Sequence, residues 1–347
     1  MTIYFWSDPH LGLNRTSHTT PASRKALREA LFDQAIWATS IPFASHDINI
    51  CLGDLFDTTE NDEATIAHGA TVASRCNLVL SGNHDLSNRD GRLSSLQLIG
   101  ELVESSTVAL ADKDISHFCL SKPEAILVAI PHKRTQQLFE ETLRECVKER
   151  VDGRPNVLLL HCNYNSGFDL DDATLNLSRQ VAEDLLQFFD YILIGHEHIS
   201  RSDFDGRLQI LGNIHPTSFS DISDKYVWSL VDGRLEYQRV WETATKYRVI
   251  PWEYLLQSDQ SYEGLQFIEV VGTCPAARLP EVSKAVQKLW TQAPDAFMIR
   301  NKVISEALEI EEVDHQQKAL DVPDKITAEL AGTPLSNLWK HYLETAK

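Results

Sequence analysis

Five short apolar runs in this chain each stop abruptly at polar residues suited to metal and phosphate chemistry. Thr2 to Trp6 leads into Ser7-Asp8-Pro9-His10, Ile48 to Leu52 into Gly53-Asp54-Leu55-Phe56-Asp57, and Leu78 to Leu80 into Ser81-Gly82-Asn83-His84-Asp85. Val157 to Leu160 ends at His161, and Tyr191 to Ile194 at Gly195-His196-Glu197-His198. A short continuous apolar run reads as a strand buried on both faces, and open α/β sheets hold ligands just beyond the carboxyl ends of such strands. Five strand ends are therefore expected to converge on one site.

The segments between the runs alternate in period. From about Ala22 to Ser40, Leu27, Leu31, Gln34 and Ala38 recur at spacings of three and four, which predicts a helix able to cover a sheet. Asp62 to Arg75 predicts a second, less amphipathic helix, so the first half reads as a layered α/β fold with crossover connections. Thr107 to Leu110, Ile115 to Leu120 and Ala125 to Ile130 are three short runs expected to form a second sheet, with a turn at Ala111-Asp112-Lys113-Asp114. Helices are expected from Thr135 to Arg150 and from Leu177 to Phe189. Asp205-Gly206 and Asp232-Gly233, each flanked by apolar runs, predict hairpins.

Near residue 250 the strand-end motifs cease. Leu265 to Val271 and Ala296 to Ile304 read as strands around a helix from Pro280 to Trp290, and the acidic segment Glu309 to Gln317 leads to two terminal helices. The expected division is 1–248, 249–310 and 311–347. The last helix places Leu335, Leu338, Trp339, Tyr342 and Leu343 on one face, for internal packing or for a partner.

Composition narrows the class. At 347 residues, 43% hydrophobic and 24% charged, the chain is an ordinary globular protein with no low-complexity tract. The first residues carry neither a basic flank nor a small-residue cleavage site, and no run approaches the roughly 20 apolar residues of a membrane span, so a cytoplasmic protein is expected. Six scattered cysteines without a Cys-x-x-Cys pair argue against disulfides. A net charge of −18 argues against a broadly basic nucleic-acid surface, so any phosphate substrate must be attracted locally.

Asp8, His10, Asp54, Asn83, His161, His196 and His198 are the mixed oxygen and nitrogen donors that intermediate divalent metals accept. Seven donors suit two metals if one carboxylate bridges, an arrangement that clamps the attacking and leaving oxygens of phosphoryl transfer. Two dications against Asp8 and Asp54 leave the cluster positive enough to hold a phosphodiester in an otherwise acidic protein.

Ser-Asp-Pro-His-Leu-Gly, Gly-Asp-Leu-Phe-Asp, Gly-Asn-His-Asp, His161 and Gly-His-Glu-His follow in order the D-x-H, G-D-x-x-D, G-N-H-[DE], H and G-H-x-H motifs, and the chain resembles the calcineurin-like metallophosphoesterases over about residues 1 to 240. The resemblance implies an α/β, four-layer α-β-β-α sandwich, with a smaller C-terminal α+β capping domain and terminal helices. It places Asp8, His10 and His198 on one metal, Asn83, His161 and His196 on the other, and Asp54 between them. His84 would protonate the leaving oxygen. Asp85 is expected to orient His84 and Asp57 to support the ligands from behind, unless each is an ordinary cap or turn carboxylate. Two divalent ions are implied, foremost Mn²⁺, with Mg²⁺, Fe²⁺ and Zn²⁺ also open.

Leu11-Gly12 after the first motif and Gly212 to Ser220 after the last resemble the nuclease subunits of SbcCD-type repair complexes and their phage counterparts. Pro9 departs from the apolar or aromatic residue common there. This branch implies a metal-dependent DNA nuclease, a homodimer whose C-terminal helices bind an SbcC-like coiled-coil ATPase. Arg15, Arg89, Arg92, Lys133 and Arg134 are candidate phosphate contacts or ordinary surface residues, and His132 and His215 line the cleft or serve the fold. A small-molecule phosphodiesterase or phosphomonoesterase, and a catalytically silent scaffold on the same fold, remain alternatives.

Overall fold

A strand that is apolar at every position needs cover on both faces, and this chain supplies it with two sheets and two sets of helices. The computed structural model describes residues 1–13, 21–40, 47–86, 92–102, 109–111, 118–122, 125–166, 175–257, 260–306 and 339. In chain order its strands are β1 Ile3–Trp6, β2 Ile48–Cys51, β3 Leu78–Leu80, β4 Ala109–Ala111, β5 Phe118–Ser121, β6 Ile126–Ile130, β7 Asn156–His161, β8 Asn163–Tyr164, β9 Asn176–Leu177, β10 Tyr191–Gly195, β11 Arg201–Asp203, β12 Leu208–Ile210, β13 Lys225–Val231 and β14 Arg234–Trp241. The first sheet runs β14-β13-β1-β2-β3-β4 and the second β11-β12-β10-β7-β6-β5. Strands β1 to β4 are mutually parallel, as are β6, β7, β10 and β12, while hairpin partners run antiparallel.

Alternation along each strand builds three apolar layers. Ile3 and Phe5 of β1 share a buried cluster with Ile50, Leu78, Leu127, Leu159 and Leu193, which joins the inner faces of the two sheets. Trp6, Cys51 and Val79 point the other way, into a cluster with residues of helices α1 Pro21–Ala38, α2 Glu63–Ala73 and α3 Ser95–Leu102. Val128, Leu158, Leu160 and Ile194 meet α4 Gln136–Cys146 and α5 Arg179–Leu185 on the outer face of the second sheet. Local chemistry sets the helix starts. Asp62, Thr135 and Ser178 are N-caps whose side chains accept from the N–H groups of Thr65, Leu138 and Val181.

Two expectations are corrected. The three runs expected to form one second sheet divide: β4 pairs in parallel with β3 in the first sheet, while β5 and β6 form an antiparallel pair in the second. Apolar period locates strands but does not name the neighbour, because a buried strand fits either sheet. The helix expected from Leu177 starts only after Ser178, since Leu177 pairs with Tyr164 in a short parallel ribbon. The turn expected at Ala111 to Asp114 lies largely outside the described residues.

Short helix α6 Thr243–Lys246 leads into strand β15 Tyr247–Pro251; α7 Trp252–Leu255 follows, then β16 Phe267–Cys274, helix α8 Leu279–Gln292 and β17 Met298–Ser305, and the three strands form one sheet. Phe267, Phe297 and Met298 share a buried cluster with Leu27 and Leu31 of α1 and with Trp241. Met1–Gly272 with Pro280–Val303 forms one compact unit, and Thr273–Leu279 groups with Ile304–Lys347 in a second. Apart from Trp339, the segment 311–347 and its two expected helices lie outside the described residues. All six cysteines are free thiols. Among the described residues no helix is long and apolar enough to cross a membrane.

Candidate metal centre

Three adjacent parallel strands of the first sheet, β1, β2 and β3, and two of the second, β7 and β10, end on the same side of the shared core. Asp8 and His10 follow β1, Asp54 follows β2, Asn83 and His84 follow β3, His161 ends β7, and His196 and His198 follow β10. The backbone there is forced into uncommon shapes. Asp8, His10, Asp54 and His196 all have positive φ, at 55°, 45°, 48° and 90°, which makes them half of the eight such non-glycine residues among those described. Conformations that cost about 1–3 kcal/mol each persist where surrounding structure over-determines them, and they concentrate at functional sites.

Side chains then meet within a few ångströms. His10 Nε2 lies 2.9 Å from His198 Nε2, and His161 Nε2 lies 3.3 Å from Asp54 Oδ2. Asn83 Oδ1 is 3.2 Å from His161 Nε2 and 3.0 Å from His196 Nδ1. Asp54 Oδ2 also stands 4.0 Å from His10 Nε2, so this carboxylate faces both groups. Donor atoms of Asp8, His10 and His198 fall within 4.8 Å of one another, and those of Asp54, His161 and His196 do the same. The structure therefore brings together all seven sequence-derived donors, in two groups joined at Asp54.

The donor chemistry fits a pair of divalent ions. Carboxylates, imidazoles and one amide oxygen are the ligands of intermediate metals, and a purely structural role gives no reason for two imidazole Nε2 atoms to face each other at hydrogen-bond distance. Burial, with neighbouring imidazoles, pushes His10 and His196 down to about 3, so both rings keep neutral lone pairs. Burial also works against charge on His161, but the adjacent Asp54 outweighs it and lifts His161 to about 9. The same contact holds Asp54 well below the usual carboxylate range despite its burial. A cation between them would take the place of that proton.

Close backbone approach explains the glycines. A Cβ at Gly82 would sit 2.1 Å from Asp54 Oδ1, and one at Gly53 would sit 2.3 Å from His161 Nδ1. Gly82 is thus required by its neighbour. Other atoms fix the ligand orientations. His161 Nδ1 donates to Leu52 O at 2.8 Å, His84 N–H donates to Asp54 Oδ1 at 3.0 Å, and His196 N–H donates to the Asp8 carboxylate at 3.0 and 3.2 Å.

Asp85 does not orient His84, contrary to the expectation from sequence. Its buried carboxylate accepts from the backbone N–H groups of Leu55, Phe56 and Gly82, at 3.2, 3.1 and 3.0 Å, and so ties the loop after β2 to the loop after β3. The His84 ring is held instead by the carbonyl of Asp57, 2.6 Å from Nδ1. The Asp57 carboxylate lies 3.6 Å from His10 Nδ1, beyond hydrogen-bond length.

His132 is buried beside His161, with ring centroids 6.4 Å apart, whereas His215 sits among Trp241, Phe267 and Phe297 and bonds Gln266. His215 therefore serves the apolar core and not the cleft. Of the basic residues, Arg92 is paired with Glu60 at 3.0 Å, Lys133 is buried, Arg134 is exposed, and Arg15 and Arg89 lie outside the described residues. Sequence reasoning missed Asp221, whose Oδ2 stands 3.3 Å from His198 Nδ1. Its signal was the Thr217-Ser218-Phe219-Ser220 segment, which ends one residue before it.

Residues 1–200 match the family model described as calcineurin-like phosphoesterase. Among solved structures, the chain is similar to a 5'-nucleotidase precursor from Thermus thermophilus, at 14% identity and a TM-score of 0.36, covering 69% of this chain and 53% of that one. It thus spans about half the length of that relative. A metallophosphoesterase from Sphaerobacter thermophilus matches at 12% identity and a TM-score of 0.31, covering 70% and 89%. A predicted phosphoesterase from Streptococcus pneumoniae matches at 11% identity and a TM-score of 0.28, covering 69% and 89%. With the family model matching more than half of its length, and its strand-end donors gathered as two groups joined at one aspartate, the chain belongs to the calcineurin-like phosphoesterases.

Proposed function

We propose that this chain is a two-metal phosphodiesterase that cleaves DNA, the nuclease subunit of an SbcCD-like repair or recombination complex. The observation that carries phosphoester hydrolysis is the gathering of seven donors at five strand ends with His84 beside them. Leu11-Gly12 and the Gly212 to Ser220 segment favour DNA within that chemistry. Two bound divalent ions, with Mn²⁺ the foremost choice, would supply Lewis-acid charge to the attacking and leaving oxygens.

The chain's own residues do the rest. Asp8, His10 and His198 would hold one ion, Asn83, His161 and His196 the other, with Asp54 shared. Backbone N–H groups fix the Asp8 and Asp54 carboxylates before any ligand arrives, which limits reorganisation during reaction. His84 is half-buried, its ring centroid 5.2 Å from that of His10. With Nδ1–H given to Asp57 O, its Nε2 is the atom left to carry a proton to the leaving oxygen, the general-acid role.

The proposed partners are DNA, a second copy of this chain, and a coiled-coil ATPase bound by the C-terminal residues, in the cytoplasm of a cell or phage host. The ATPase would supply the phosphate contacts that a chain of net charge −18 lacks. That same charge favours a second reading, a phosphodiesterase or phosphomonoesterase for small substrates, which needs no extended basic track. Purified protein with Mn²⁺ is to be assayed on single-stranded DNA, duplex DNA, bis-p-nitrophenyl phosphate and p-nitrophenyl phosphate. DNA cleavage is expected, alone or with the ATPase. Turnover of either chromogenic substrate with no DNA cleavage in either setting would refute the nuclease.

A further inference from the structure

We infer that Asp221 is a positioning residue for the metal held by Asp8, His10 and His198, acting through the ring of His198; this rests on the two-metal reading above. His198 offers Nε2 to the site, 2.9 Å from His10 Nε2, while its Nδ1 lies 3.3 Å from Asp221 Oδ2 and 3.3 Å from Thr217 Oγ1. A carboxylate on Nδ1 keeps the proton there, leaves the Nε2 lone pair for a cation, and makes the ring a stronger donor. The Thr217 hydroxyl oxygen can accept the same proton but carries no charge, so the strengthening of the ring as a donor comes from the Asp221 carboxylate.

Asp221 is itself fixed from several sides. Its Oδ2 accepts from Asn213 Nδ2 at 2.8 Å, Thr217 N at 2.9 Å and Thr217 Oγ1 at 3.0 Å. Its Oδ1 accepts from Ser218 N at 2.7 Å and Ser218 Oγ at 3.0 Å. Buried Lys225 donates to the carbonyls of both His198 and Asp221, at 2.9 and 2.6 Å, so one ammonium joins the backbones of the two residues whose side chains meet. Asp221 is buried, at 3% exposure. A buried anion braced by five donors and aimed at one imidazole is a support for that imidazole.

The test compares Asp221→Asn, Ser218→Ala and the unaltered chain by equilibrium dialysis of Mn²⁺, by electron paramagnetic resonance, and by melting of the metal-free proteins. The unaltered chain should bind two ions with an exchange-coupled spectrum. Asp221→Asn should weaken one ion by about 10- to 100-fold and give the six-line spectrum of a single Mn²⁺, while its metal-free form stays folded. Ser218→Ala removes one bond to the same carboxylate without touching His198 and should keep two coupled ions. Two coupled ions in Asp221→Asn would overturn the inference. So would an equal loss in Ser218→Ala, or collapse of metal-free Asp221→Asn, since Asp221 would then be holding only its loop. Failure of the unaltered chain to bind a pair would instead overturn the two-metal reading and the inference with it.

Discussion

Gly82→Ala tests whether backbone approach at the end of β3 sets the geometry of the shared carboxylate. The added methyl carbon would sit 2.1 Å from Asp54 Oδ1, 2.5 Å from Asp54 N and 2.7 Å from Asp54 Cγ. Contacts of this kind do not fall below 3.0 Å, so the carboxylate or the loop after β3 must retreat by at least about 0.9 Å. Neither is free to do so at low cost. Asp54 Oδ1 already accepts from His84 N, and Gly82 N donates to Asp85. Overpacking of this sort costs about 1–3 kcal/mol of stability, and a displacement near 1 Å at a reacting centre costs on the order of 100-fold in rate. The expected result is a folded protein with a lower Tm, reduced metal content, and kcat/KM for bis-p-nitrophenyl phosphate down about 100-fold. Wild-type kinetics with two metals per chain would refute the argument that Gly82 is fixed by Asp54.

Further expectations follow from other contacts. His84→Ala should retain both metals by elemental analysis yet lose about 100- to 10,000-fold in kcat, whereas Asp54→Ala should lose metal as well; a His84 variant stripped of metal would contradict the division of roles. Adding Mn²⁺ at 100 times its Kd should raise stability by about 2.7 kcal/mol through linkage, an increment that chelation abolishes in a melting assay, and an unchanged Tm would oppose the metal centre. Thr135→Ala should cost about 1 kcal/mol in urea unfolding, through loss of the N-cap bond to Leu138 N. Asp62, drawn down to about 2 by hydrogen bonds from Thr65 and Arg28, should make Asp62→Asn less stable than the parent above the unfolded carboxyl value of about 3.9. That difference should fade as pH falls through about 2, because protonation removes the advantage of the charged form; a difference that grew with acid would reverse the sign.

The donors were legible in sequence because each ends a run whose continuous apolar character marks a doubly covered strand. Asp8, Asp54, Asn83, His161 and His196 sit where that pattern put them, and the structure adds that β1, β2 and β3 are neighbours. What stayed hidden depends on pairing across sequence distance. Nothing near Ala109 says that β4 joins β3 while β5 joins the other sheet. Asp85 looked like a partner for His84 because the two are adjacent, yet its carboxylate finds backbone N–H groups 29 and 30 residues away. α3 went unread because Ser95 to Leu102 is only 8 residues long, too short a window for a helical period to stand out. Asp221 escaped for the opposite reason: it lies in a polar segment with no strand pattern, and only the folded backbone brings it beneath His198.

Three histidines of the site share one device. His161 gives Nδ1 to the Leu52 carbonyl, His84 gives Nδ1 to the Asp57 carbonyl, and His198 sets Nδ1 against the Asp221 carboxylate. Each ring is thereby fixed in tautomer and rotation, with Nε2 left for chemistry. The partners differ in charge. A neutral carbonyl holds a ring without making it strongly more basic, whereas a carboxylate raises affinity for any cation at the far nitrogen. Of the three, His84 is the half-buried ring on a carbonyl, so it is poised to exchange a proton with solvent or substrate while the buried His161 ring is not. His198, on a carboxylate, is built to keep its partner bound. Exposure therefore separates ligand from proton carrier where both rings meet a carbonyl, and charge does so only at His198, so substitution at Asp221 should alter metal retention more cleanly than substitution of the His198 ring itself.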